Sequence, residues 1–375
     1  MAENGNRGIK DRLRQAAARL GQAITALLSR LRDVFSPSAW RDHGHGGMLG
    51  IALLLLVVFL YFLGVYWSQE PDEFDVRQQA LAMAGGDETR LVPGYVTTST
   101  LITITRKVLN KPGGYLSNDR LPPASLFGLY PMLDNIPNWE FGAVVMIRDT
   151  ARVLRNDFSR SQSQSLEDPD LAEAEPRFNF ANDSWLFPPT EREYRKGITH
   201  LQRYLDRLTD PAQPNAQFYT RADNLNELLA VVEKRLGGLS RRLNASVEEL
   251  RVNTDLAGDP AARQATRAPG LIVARTPWMQ IDDVFYESRG YVWALLHVLK
   301  AVQVDFREVL KKKNAEASLQ QVIRLLEQTQ VEPSSPMVLN GDPMGWVANY
   351  SKTMVSYISP ANAAIIDLRS LLAKG

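Results

Sequence analysis

Within TPWMQIDDVFYESRGYVWALLHVLKAVQVDFREVLKKK, Asp283, Glu287, His297, Asp305 and Glu308 recur at steps that hold them on one stripe of a helix. Carboxylates bracketing an imidazole could ligate a metal or relay protons. The spacing limits that chemistry, because Glu287 and His297 stand ten residues apart, about 15 Å along a helix axis. They share no ion unless other helices contribute, so a solvated face with a hydrogen-bonded histidine is the plainer expectation. His43 and His45 lie in a glycine linker, and His200 sits among charged residues as a solvated side chain. No metal or cofactor site is expected. The sequence contains no G-x-S-x-G, no H-E-x-x-H, no phosphate loop and no dinucleotide fingerprint, so the expectation is a protein that is not an enzyme. Paired carboxylates hydrolyse glycosidic bonds without a local motif, which keeps a peptidoglycan-directed hydrolase as a minor alternative.

The other candidate chemistry is recognition. GGYLSNDRLPPASLFGLYPMLDNIPN, residues 113–138, is crowded with glycine, proline, asparagine and aspartate and interleaved with aromatics. A connection of that length without clear periodicity is uncommon and usually functional or disordered, and its aromatics and leucines favour an ordered loop. Tyr115, Asn118, Asp119, Arg120, Asp134, Asn135 and Trp139 are the candidate residues for binding a partner or ligand. Their competing role is to satisfy the loop's own backbone.

Helices must position these groups. Val144, Ile147, Ala151 and Leu154 share one helical face, as do Tyr194, Ile198, Leu201, Leu205 and Leu208, with Thr190 and Glu193 spaced as a capping box. Leu225, Leu229, Val232, Leu236, Leu239 and Leu243 alternate by three and four across Gly237 and Gly238. Phe285 to Leu310 repeats the pattern in one long helix, and Pro360 is placed to start a final one. Residues 92–114 are β-branched enough for a strand, yet Leu101, Ile104 and Val108 favour a helical face. Residues 159–176 and 254–276 read as connectors.

One stretch sets the expected topology. MLGIALLLLVVFLYFLGVYW, Met48–Trp67, carries no charge over a length that would span a bilayer as a helix. Arginines and Lys10 dominate before it and acidic residues follow it, so the positive-inside rule places residues 1–47 in the cytoplasm, with an amphipathic heptad helix, and 68–375 in a periplasm. The net charge of +1 gives no basic field for nucleic acid. The absence of cysteine excludes disulfides, thiolate metal sites and thiol nucleophiles.

The expected fold is therefore mainly α: a single transmembrane helix followed by an elongated periplasmic helical bundle. The segments GGYLSNDR, LDNIPNWEFG, DFSRSQSQS and FYTRADNLNELLAVVEKRLGGLSRRLNASV, with the apolar span, resemble a family of bacterial inner-membrane proteins defined as a domain of unknown function. The resemblance covers most of the chain and implies a Gram-negative inner membrane without implying an activity or catalytic residues. The functional expectation is a membrane-anchored structural or adaptor protein. Its partners would be the lipid bilayer and another envelope protein or further copies of itself. A ligand- or lipid-binding domain is the rival.

Overall fold

The computed structural model of the chain describes residues 45–67, 69–117, 135–160, 166–212, 215–247, 249–252, 271–333, 338 and 347–374. The chain divides into Met1–Val65 and Tyr66–Gly375. The amphipathic helix expected before residue 48 lies outside the described residues. Helix α1, His45–Trp67, exposes Leu53, Leu54, Val57 and Phe59. Among the described residues, however, no helix is long and apolar enough to cross a membrane. On that finding the expected transmembrane span is corrected. The single-pass topology, the inner-membrane and periplasmic placement, the lipid bilayer as partner and the anchored-adaptor function go with it.

The second unit is almost entirely helical. It comprises α2 (Val76–Met83), α3 (Tyr95–Asn110), α4 (Asn135–Val153), α5 (Pro169–Phe178), α6 (Thr190–Thr209), α7 (Ala222–Asn244), α8 (Ile281–Asp305), α9 (Arg307–Lys312), α10 (Glu316–Glu327) and α11 (Tyr350–Ala373). Its axis is the pair α4 and α8, against which α3 packs, with α5 on α6, α7 on α11 and α10 on α11 arranged outside. The core runs continuously from Leu101, Ile104 and Ile147 through Leu201, Leu229 and Val292 to Leu326 and Ile365.

Local signals explain several elements. In α3, Thr103 and Thr105 hydroxyls donate to the carbonyls of Ser99 and Leu101, so these two buried threonines are satisfied on the helix itself, and the strand alternative loses. α7 passes through Gly237 and Gly238 unbroken because its leucine seam is held against α11. Other expectations fail on tertiary grounds. Residues 169–178 form a helix instead of a connector, with Asp168 accepting from the Asp170 and Leu171 backbone N–H groups and Leu171, Ala174 and Phe178 buried. Glu249–Val252 and Leu271–Ala274 pair as an antiparallel hairpin at the ends of the other expected connector. α11 runs through Pro360, and the long helix expected from Phe285 to Leu310 stops at Asp305.

The stripe on α8 does not converge on a site. Asp283 accepts from Asn138, Glu287 forms a two-pronged pair with Arg242, and the buried His297 and half-buried Asp305 lie apart from both. Among the described residues no cluster of three metal-ligating side chains occurs. His297 Nδ1 lies 2.7 Å from the Trp293 carbonyl, and its Nε2 accepts the Phe74 backbone N–H at 3.1 Å while the two rings stack. Those contacts fit a neutral ring with its proton on Nδ1. Asp305 caps α3 from outside, accepting the backbone N–H and hydroxyl of Thr97, each at 2.7 Å.

Burial pulls His297 down to about 4 and pushes Asp305 up to about 6. The histidine's stabilisation is present above its unfolded value near 6.5 and is lost as pH falls toward 4, about 3 kcal/mol in all. Asp305 acts in the other direction. Its protonated form is favoured in the fold, so its contribution is lost as pH rises from 3.8 to about 6, again about 3 kcal/mol. The two slopes oppose each other between about pH 4 and 6. Asp305→Asn is expected to leave urea stability rising steeply with pH in that window, and His297→Phe to leave it falling. Parallel curves for the parent and both variants would disprove this balance.

Candidate functional site

The expected recognition loop begins on a buried ion pair. Lys111 Nζ meets Glu140 Oε1 at 2.7 Å with both side chains inaccessible to solvent, and also donates to the Gly114 carbonyl. Glu140 further accepts the Leu116 and Ser117 backbone N–H groups and the Ser117 hydroxyl. Burial raises the Glu140 carboxyl while Lys111 draws it down. The turn between them needs Gly113 at φ +81°, where a Cβ would fall 2.6 Å from the Trp67 ring.

This arrangement turns the predicted residues inward. Tyr115 is buried, its hydroxyl donating to the Asn182 carbonyl at 2.9 Å and its ring edge-on to Tyr194. Burial pushes its phenol well up. Trp139 is fully buried in α4 against Trp293, with ring centroids 5.1 Å apart. Asn135 starts α4, half-buried. Asn118, Asp119, Arg120 and Asp134 lie outside the described residues. The structure thus brings Tyr115 and Trp139 into the framework, on different neighbours, and does not gather them into one pocket.

What Tyr115 braces is the feature that the sequence reading missed. Between α5 and α6, Trp185, Leu186 and Phe187 stand 65%, 52% and 94% exposed. Phe187 holds φ +62°, a left-handed conformation that costs a bulky side chain about 1–2 kcal/mol and persists only where the surroundings impose it. The surroundings do so here. Thr190 donates its backbone N–H to the Ser184 carbonyl and its hydroxyl to Ala181, and the Ser184 hydroxyl donates to the Pro188 carbonyl. Arg148 holds the approach to the tip through the Phe178 and Phe180 carbonyls. Thr190 is therefore spent on the loop and forms no capping box; Glu193 instead pairs with Arg177 and Lys196, both at 2.6 Å. A usable signal was present in the sequence: three large apolar residues between Asp183-Ser184 and a Pro188-Pro189 pair, in no periodic pattern.

Next to the tip, an open cleft of about 420 Å³ lies along the outer face of α6, lined by Pro189, Glu191, Arg192, Arg195, Lys196 and Thr199. Arg192 and Arg195 are exposed, and Arg195 reaches the Asn110 amide oxygen at 3.4 Å. His200, expected to be solvated, is partly covered and lies 3.4 Å from Asp170. An apolar tip beside guanidinium groups can grip a surface.

No curated protein and no solved structure matches the chain. Residues 38–375 match the model of the family described as an uncharacterized protein conserved in bacteria, DUF2333, and the chain belongs to that family.

Proposed function

We propose that the protein is a non-enzymatic helical scaffold that holds another protein at the Trp185–Phe187 tip. The observation that carries this reading is an aromatic side chain almost wholly in solvent on a backbone kept in a strained conformation by its neighbours. A loop already ordered loses little entropy on association, and tryptophan is enriched among the residues that dominate binding energy. The interior supports a binding role over a catalytic one, since His297, Asp305 and Glu140 are each spent on joining elements. In this reading Tyr115 and Trp139 position the surface. Tyr115 ties residue 115 to Asn182, and Asn118, Asp119, Arg120, Asp134 and Asn135 are proposed as additional contacts.

The test compares the full-length chain with Trp185→Ser/Phe187→Ser for co-purification from the producing bacterium. Both should melt alike, because the substituted side chains touch solvent. A stoichiometric protein should accompany the parent and fall at least ~30-fold in affinity for the variant, about 2 kcal/mol for the loss of central anchors. Identical partners at equal yield would refute the reading.

A further inference from the structure

We propose that the segment seated on this surface is acidic, with its carboxylates along Arg192 and Arg195 of α6 and an apolar residue of the same segment against Trp185 and Phe187. This deepens the docking role proposed above and rests on it. Arg192, Arg195 and Thr199 follow one another at steps of three and four along α6, a row about 10 Å long. That length matches a few residues of peptide. Pro189 lines the cleft and is two residues from Phe187, so the anchor and the row are contiguous.

Charge decides the class of partner. The cleft carries Arg192, Arg195 and Lys196 against Glu191 alone, while Glu193 is buried and faces Arg177 and Lys196. Lys196 is thereby partly neutralised, and the two exposed guanidinium groups dominate the field. Their planar donor forks suit carboxylates, which accept two parallel hydrogen bonds. A basic or neutral segment would gain nothing from this row.

The experiment places photoreactive benzoylphenylalanine at Leu186 of the full-length chain in bacterial cells, leaving Trp185 and Phe187 intact, and sequences the cross-linked segment by mass spectrometry. The expected adduct is a peptide rich in aspartate and glutamate around an apolar residue. Its yield should fall about tenfold in Arg192→Glu/Arg195→Glu and with rising salt, as an exposed charge contact does. Thermal unfolding of the charge-reversed chain should match the parent, since both arginines lie on the surface. A cross-linked segment without acidic residues, or a yield indifferent to charge reversal, would overturn the acidic-partner inference while leaving the docking role standing. No protein adduct, an adduct to lipid only, or a yield unaffected by Trp185→Ser/Phe187→Ser would overturn both.

Discussion

Gly290→Ala is expected to lower the unfolding free energy by about 3 kcal/mol or more, at the upper end of what overpacking costs. A Cβ at Gly290 would lie 1.9 Å from the Trp139 carbonyl oxygen, and one at Gly142 would lie 1.9 Å from the Glu287 carbonyl oxygen and 2.7 Å from the Tyr291 nitrogen. Both obstacles are backbone, so no rotamer change relieves them. The two helices at the centre of the bundle must part by more than about 1 Å to restore van der Waals spacing. That movement would loosen Trp139 from Trp293 and reach the α3 contacts beyond. Gly238 is the control. It too is helical, but a Cβ there meets nothing within 4 Å, so Gly238→Ala should stabilise by about 0.5–1 kcal/mol through helix propensity alone. Urea unfolding followed by far-ultraviolet circular dichroism measures both, and equal effects at the two positions would show that α4 and α8 do not approach as described.

Lys111→Met should cost about 3–5 kcal/mol, because removing one member of a buried pair strands the other charge. The loss has a pH signature. In the parent, burial raises Glu140 while Lys111 opposes it; without the lysine the opposition is gone and the carboxyl rises further. The folded state then holds a proton that the unfolded chain releases near 4.5, so the variant gains stability as pH falls toward that value and loses it as pH rises. The deficit against the parent should therefore shrink on acidification. Lys111→Met/Glu140→Gln should recover at least half of it, since an amide oxygen still accepts from the Leu116 and Ser117 donors without a stranded charge. A deficit independent of pH, and no recovery in the double variant, would show that the pair is not the source. The same substitution should reach the tip: Glu140 anchors residues 116–117, Tyr115 anchors Asn182, and hydrogen exchange at residues 181–187 should accelerate in Lys111→Met.

Much of the helical content was legible because it is written in local spacing. Residues 190–209 and 222–244 carry strong apolar stripes, the second surviving the paired Gly237 and Gly238, and the faces named for them are the buried ones, with Leu208 half-buried at the end of the first. The capping box at Thr190 misled because the hydroxyl had a better use nine residues back, at Ala181, which no window around position 190 contains. The connector over 159–176 misled in the same way: its helix is polar and short, and Leu171 and Phe178 acquire their value only beside α6. Met48–Trp67 is the reverse case, a stretch whose composition alone suggested a function that the described residues do not support.

By itself, then, the sequence determined that this chain is helical, free of thiol chemistry and without the fingerprint of a known catalytic machine, since composition and periodicity are properties of neighbouring residues. Tertiary structure alone decided that Gly142 meets Gly290's helix, that Asp305 caps a helix 208 residues away in sequence, that Tyr115 and Trp139 turn inward, and that Trp185, Leu186 and Phe187 remain in water. Each of these depends on which surfaces are brought together across long stretches of chain. Apolar side chains look alike in sequence whether packing buries them or leaves them exposed, and only the positions of the other helices distinguish the two.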